Sequence, residues 1–296
     1  MKQLPLFSED MITSKAVNIA SIPHRSPFRY PGGKTWFIPT LRKWLSTLSI
    51  TPTIFIEPFA GGAIVGLTTA FENLSHKVLL VELDNLVASV WETLIVSEKA
   101  NWLADQIVSF DFTAENVNQV LETPAKTTEE LAFQTIIKNR VNHGGILANG
   151  AGKLKLGENN KGLGSRWYPE TLQKRIRDIV SVRSRLNFVH GDGISIIQNY
   201  VNDPNAAFFI DPPYTIDGKK AGSRLYNHSD IDHEELFRIS SSVLGNLLMT
   251  YDDTPTIRRL ATYYGLEVRS ISMKNTHHNY QSELIIGRNL DWLANS

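Results

Sequence analysis

Apolar residues recur along this chain in two rhythms. Over 34–48 the spacing is helical: Trp36, Phe37, Leu41, Trp44, Leu45 and Leu48 share one face, and Pro39 must sit in the first turn or kink it. Two short, mainly apolar runs, 53–56 and 77–81, predict buried strands. Glu57-Pro58 closes the first and Glu82 the second, and 63–73 between them predicts a helix. A strand, a glycine turn, a helix and a second strand tipped by an acid form a nucleotide-binding half of a doubly wound sheet.

The rhythm changes after residue 85. Helical spacing predicts helices over 91–108, 114–121, 129–142 and 169–186. A polar loop, 144–167, separates the last two and holds seven glycines from Gly144 to Gly164. Loops of that length are usually functional or disordered. Strand patterns return at 187–190, 207–210, 246–250 and 282–287. The expected layout is a flexible N-terminal arm (1–22), an α/β domain (23–85 with 187–296) and a helical insertion (86–186). There is no internal repeat and no low-complexity tract.

Composition narrows the class. The 296 residues suit one large domain, or one domain carrying a sizeable insertion, and 42% hydrophobic with 20% charged residues is ordinary for a soluble globular protein. No apolar run approaches the roughly 20 residues of a membrane span, and residues 1–10 lack a secretory pattern. Cysteine is absent, which excludes disulfides, thiolate catalysis and cysteine-ligated zinc and fits a cytoplasmic setting. His228, His233, His277 and His278 repeat no metal-site spacing, so no metal is expected. Formal net charge is zero, but it is unevenly spread. From Val90 to Ala132 there are eight acidic and two basic residues; from Lys138 to Arg185, eleven basic and three acidic. Such a basic block either holds a polyanion locally or forms a solvated face.

Three stretches carry candidate chemistry. Asp211-Pro212-Pro213-Tyr214 follows the apolar run 207–210, where α/β sheets bind ligands. An aromatic amine is a poor nucleophile because its lone pair is delocalised. The Asp211 carboxylate and the Pro212 carbonyl could accept its two N–H bonds, and Tyr214 could stack against the base, a contact worth roughly 1–3 kcal/mol. A purely structural role would be a rigid strand-closing turn with Tyr214 as packing. The second stretch is Phe55-Ile56-Glu57-Pro58-Phe59-Ala60-Gly61-Gly62-Ala63, whose glycines let a ligand approach the backbone. Glu57 suits a cationic group better than a phosphate. Glu82 sits where an acid would hold ribose hydroxyls, or is merely an exposed strand end. The third is Phe28-Arg29-Tyr30-Pro31-Gly32-Gly33-Lys34-Thr35. Its end mimics a P-loop, but Phe28 stands where the first glycine is needed, which excludes an NTPase.

In this order the three stretches resemble the Dam-type DNA adenine methylases and related enzymes of restriction systems, over about 27–288. The resemblance implies a Rossmann-like α/β sheet dependent on S-adenosylmethionine, mostly parallel with one antiparallel strand, and an inserted helical target-recognition subdomain. It implies N6 methylation of an adenine flipped out of double-stranded DNA. By the same resemblance Tyr30, Gly32, Gly33 and Lys34 contact the cofactor, Lys34 near its polar end. Glu57, Pro58, Phe59, Gly61 and Gly62 hold its methionine part, Glu82 its ribose and Asp192 its adenine amino group. Asp211, Pro212, Pro213 and Tyr214 form the catalytic turn, with Asp211 also beside the cofactor. Arg140, Asn142, Lys153, Lys155 and Arg166 of the insertion are expected at DNA, the first two within an Asn-Arg-x-x-x-x-Gly stretch.

The chain departs from the family in having Tyr30 where Trp is common and Glu82 where Asp is common; both changes keep the chemistry. Cytosine-N4 methylation, a neighbouring chemistry, usually has Ser in place of Asp211. RNA base methylation would use the same fold, and so would a DNA-binding protein that had lost catalysis. Lys219, Lys220 and Arg224 form a loop that either touches phosphate or is solvated. Asp232 with Glu235 has the pattern of a capping box. Gln3-Leu4-Pro5-Leu6-Phe7 resembles the short peptide that docks replication proteins on the bacterial sliding clamp, an expected partner alongside DNA in the nucleoid.

Overall fold

The computed structural model describes residues 11–12, 21–154, 162–214, 227, 230–274 and 280–294. Its strands are β1 (Met11–Ile12), β2 (Ile54–Glu57), β3 (Lys77–Glu82), β4 (Leu186–His190), β5 (Ala206–Ile210), β6 (Asn246–Asp252), β7 (Glu267–Lys274) and β8 (Tyr280–Gly287). They form one sheet in the order β1-β7-β8-β6-β5-β2-β3-β4. β8 runs antiparallel to both neighbours, and every other pairing is parallel. This is a Rossmann-like, doubly wound α/β sheet with the single antiparallel strand that the family resemblance implied.

The topology locates the site. From β2 the chain winds outward through β3 to β4, then returns to place β5 on β2's other side and continues to β6. The order therefore reverses between β2 and β5, and ligands of open α/β sheets bind beyond the carboxyl ends of the strands at that reversal. Those ends carry Glu57 and Asp211.

Alternation along the strands builds two cores. Phe55, Val78 and Leu80 enter the buried cluster on one side of the sheet; Ile56, Leu79 and Val81 enter the one on the other. The first side holds α1 (Ile38–Thr47), with Pro39 in its first turn, and the almost wholly buried α2 (Ile64–Phe71). It also receives the helices between β3 and β4: α3 (Asn85–Trp91), α4 (Ala100–Ser109), α5 (Ala114–Glu122), α6 (Thr128–Val141) and α7 (Pro169–Ser181). Leu103, Ile136 and Ile176 of these helices share one cluster with Phe37 and Phe55. The helical segment thus continues the core and does not enclose a separate one. On the second side lie α8 (Gly193–Asn199), α9 (His233–Ser242) and α10 (Pro255–Tyr263); α11 (Asp291–Ala294) ends the described chain.

Several expected elements differ. The helix expected over 91–108 is two: α3 starts earlier because Asp84 accepts from the backbone N–H groups of Leu86 and Val87, and after a π-type turn the backbone is extended at Ser97. α7 stops at Ser181 and leads through a 3-10 turn, Arg183–Arg185, into β4. β1, β7, α8, α10 and α11 are additional; β1 pairs with β7 and Ile22 enters the core, so parts of the arm expected to be flexible are fixed to the domain. In the loop 144–167, Leu163–Arg166 forms a 3-10 turn and Lys153 bridges to Asn142; 155–161 lie outside the described residues.

Candidate active site

The glycine turn after β2 is shaped by the protein's own aromatic ring. A Cβ on Gly61, whose φ is +47°, would lie 2.5 Å from Tyr30 Cε1, and one on Gly62 would lie 2.8 Å from Tyr30 Cβ. Tyr30 meets Phe28 edge-on, Phe28 meets Trp91 likewise, and the Trp91 indole donates to Gly61 O at 2.9 Å. The segment carrying Tyr30 is pinned to α6 by Asn139, whose side chain accepts from Arg29 N and donates to Arg29 O, both at 2.9 Å. Ala63, the residue before α2, has a left-handed φ of +50°, a strained conformation of the kind that collects at functional turns.

Acids surround this turn. Glu57 is buried and accepts from Gly66 N at 2.8 Å. Burial raises its pKa well above the usual carboxylate range, with Asp211 and Glu82 adding to the rise and the Gly66 bond opposing it. Glu82 clasps the turn from β3: Oε2 accepts from Gly61 N at 2.8 Å, and Oε1 from Leu83 N and Asp84 N at 2.9 and 2.8 Å. Burial pushes its pKa up to about 7 against these bonds. Asp192 caps α8, taking Ser195 N and Oγ on Oδ2. Gly193 packs so closely that a Cβ would stand 2.3 Å from Pro58 O, which fixes the β2 and β4 turns against each other.

The turn after β5 holds a charged cluster. Asp211 Oδ1 accepts from Tyr214 OH at 2.6 Å and from Thr250 Oγ1 at 2.8 Å, and lies 3.0 Å from Lys34 Nζ. The buried Lys34 also reaches Tyr214 OH at 3.0 Å and Glu283 Oε2 at 3.3 Å. It therefore stands at the Asp-Pro-Pro-Tyr turn. The Tyr214 ring stacks on Tyr251 at 5.5 Å, and Tyr251 OH lies 3.0 Å from His233 Nδ1. Burial, Asp211 and Glu283 raise the Tyr214 pKa well above normal, so it stays a phenol.

One cavity of about 1060 Å³ joins these parts. Tyr30, Gly32, Gly33, Lys34, Glu57, Pro58, Phe59, Gly61, Gly62, Glu82, Asp192, Asp211, Pro212, Pro213 and Tyr214 all line it. Four arginines, Arg29, Arg140, Arg166 and Arg175, also line it. Arg140 is buried, donates to Asn139 Oδ1 at 2.7 Å and to Pro27 O, and has its pKa lowered to about 9 by burial and by Arg175, Arg29 and Arg166. Arg166 is buried and donates to Asn142 O at 3.1 Å.

Of the other residues expected at DNA, Asn142 is buried and donates to Ile146 O, while the exposed Lys153 bonds Asn118 Oδ1. Neither lines the cavity. Lys155, Lys219, Lys220, Arg224, His228, His277, His278 and residues 3–7 lie outside the described residues. Asp232 caps α9 by accepting from Glu235 N, but the Glu235 carboxylate pairs with Arg238, so the capping box is half made. Among the described residues no three His, Asp or Glu side chains group as a metal site, and no helix is long and apolar enough to cross a membrane.

Glu283, Thr250 and Tyr251 were missed by sequence reading. The signal for Glu283 was present: a carboxylate directly before the apolar strand run Leu284-Ile285-Ile286, where an unpaired charge is costly. Thr250 and Tyr251 gave no such sign, being ordinary strand residues.

No family model matches the sequence, and no curated protein matches it. Among solved structures, a protein described as an RNA methyltransferase from Pyrococcus horikoshii aligns with TM-score 0.37 and 11% identity, covering 88% of this chain and 84% of its own. Precorrin-6y C5,15-methyltransferase from Geobacter metallireducens GS-15 aligns with TM-score 0.35 and 10% identity, covering 84% and 87%. Both are loose likenesses, and the fold assignment rests on the strand order.

Proposed function

We propose that this chain is a DNA adenine N6-methyltransferase that uses S-adenosylmethionine. The observation that carries the reading is the shared cavity: the Asp211 turn, the glycine turn, the acids Glu57, Glu82 and Asp192, and the four arginines line one space. The residues present fit the donor. Acids at one end match its cationic sulfonium and amino groups, and Glu82 and Asp192 are acceptors suited to ribose hydroxyls and an adenine amine. When bound, S-adenosylmethionine supplies an electrophilic methyl group on sulfur.

The chain's own part is positioning. Asp211 and the Pro212 carbonyl accept the N–H bonds of the target amine and keep its lone pair directed at the methyl. Oδ1 already holds three donors within the protein, so Oδ2 and the Pro212 carbonyl are the acceptors left for substrate. Tyr214 is stacked on Tyr251, so the base meets the ring's other side or its edge. The four arginines support a polyanionic substrate, which delivers its base by flipping. The order of the three motifs and the Asp in the catalytic turn favour adenine in DNA.

Mass spectrometry of nucleosides tests this, using unmethylated DNA incubated with the protein and labelled S-adenosylmethionine. The expected result is labelled N6-methyladenine from wild type and none from Asp211→Ala. Labelled N4-methylcytosine would overturn the base assignment, and label found only in RNA would overturn the substrate.

A second proposal rests on sequence alone: residues 3–7 dock on a sliding clamp. A chain beginning at residue 11 should lose capture by the clamp, and unchanged capture would sink the idea.

A further inference from the structure

We propose that Glu283 is a positioning residue for methyl transfer, holding the Lys34 ammonium between itself and Asp211. The proposal deepens the reading above and rests on Asp211 acting at the target amine.

Glu283 lies in β8 just before the buried apolar residues Leu284, Ile285 and Ile286, and is itself 8% exposed. Burying a carboxylate costs several kcal/mol unless it is paired and hydrogen-bonded, and breaking such a pair costs more than replacing it with apolar packing. A fold needing only core at this position has no use for a charge. Among the described residues the cation placed against Glu283 is Lys34, with Nζ 3.3 Å from Oε2 and 3.5 Å from Oε1. The same Nζ stands 3.0 Å from Asp211 Oδ1 and 3.0 Å from Tyr214 OH. Two carboxylates, one in β8 and one in the turn after β5, thus share one ammonium.

The sharing has a chemical consequence. Were Lys34 paired with Asp211 alone, its full charge would fall on the carboxylate that must accept the amine N–H, and would weaken it as an acceptor. An ionised Glu283 draws part of that charge away and fixes the ammonium between the two acids. The charged or titratable groups facing Glu283 from the packed elements are Lys34 before α1, Asp211 and Tyr214 after β5, and Asp252 of β6, which pairs with Glu283 across the strands. On β7 the residue opposite is Ile271, which carries no charge. Burial, Asp211 and Asp252 outweigh Lys34 and raise the Glu283 pKa to about 7, so the sharing sets in near neutrality.

The test uses the full chain and two readouts. In the first, lysine side-chain NMR follows the Lys34 ammonium as pH rises from ~6 to ~8, around the altered carboxyl pKa. The Lys34 signals should shift with a midpoint near 7 in wild type, and Glu283→Gln should abolish that shift. In the second, the rate of methyl transfer at saturating S-adenosylmethionine is measured over the same range. Glu283→Gln should lower kcat roughly tenfold or more with cofactor KM little changed, and should flatten the acid limb of the profile. Glu283→Asp, which keeps the charge, should restore part of the rate. Lys34 signals identical in wild type and Glu283→Gln would overturn the proposal whatever the activity. So would a Glu283→Gln enzyme of wild-type rate, or one whose rate falls only as its unfolding midpoint and cofactor binding fall together. If wild type methylates no nucleic acid, the function reading fails and this proposal falls with it; a Lys34 shift that still depends on Glu283 would show that the pair itself is real.

Discussion

Gly66 has no room for a side chain: a Cβ there would stand 2.5 Å from Glu57 Oε2 and 2.5 Å from Leu80 Cδ2, deep in the first turn of α2. Neither neighbour can give way easily, since Glu57 is held by Gly66 N and Leu80 is fully buried. Gly66→Ala should therefore destabilise the fold by about 1–3 kcal/mol despite the better helix propensity of alanine. A urea midpoint lowered with an unchanged slope would check it. This position was invisible in the sequence, because its constraint comes from a strand one turn away in the fold. Gly61 and Gly62 were legible as a turn built for close approach, yet the closest group is Tyr30, about thirty residues upstream. Lys34 was legible as a site residue but its partners were not. Asp211 and Glu283 meet it only because β5, β6 and β8 lie side by side.

Among the elements, those written in continuous apolar runs were legible almost to the residue. β2, β3 and β5 are central strands covered on both faces, so nothing polar interrupts them, and Glu57, Glu82 and Asp211 mark where they leave the core. β7 was not legible. Glu267, Arg269, Ser270 and Ser272 break its pattern, and only Val268, Ile271 and Met273 hint at a strand. α10 carried a readable start in Thr254-Pro255, where the Thr254 hydroxyl accepts from Ile257 N, but its single turn-spaced apolar face is short. The segment between β3 and β4 was readable as helices but not as part of the common core. What ties its outer portion together is an aromatic group: Phe112 stacks on Trp167 at 4.4 Å, and Phe110 meets Phe112, Phe133 and Trp167 edge-on. These rings come from the end of α4, from α6 and from the turn before α7. The loop through Trp167 is thus anchored at its C-terminal end by packing that no local pattern records.

Across the whole molecule, three carboxyls at the cavity make stability depend on pH. Glu82 and Glu283 have folded-state pKa values raised to about 7, and Glu57 is raised well above the usual carboxylate range, all chiefly by burial. A raised acid binds more protons in the folded chain than in the unfolded one. Its contribution is fully present below the unfolded value near 4.5 and is lost as pH rises through the folded value. His233, lowered by burial, opposes this below its ordinary value of 6.5. The net expectation is a melting temperature that falls between pH ~5 and pH ~7.5, and Glu82→Gln or Glu283→Gln should each flatten the fall. A melting temperature that rises across this window would refute the assignment. Four arginines, Arg29, Arg140, Arg166 and Arg175, line the same cavity, so the zero formal net charge of the chain hides an uneven distribution. At the opposite margin of the sheet, the parallel pairing of Met11 and Ile12 with Ser270 and Ile271 has a different meaning. A bare β7 would offer unpaired N–H and C=O groups to any other chain, and outermost strands left open in this way are templates for self-association. Two backbone residues close part of that opening, so the stretch of chain leading into the α/β sheet also guards it against a second copy of itself.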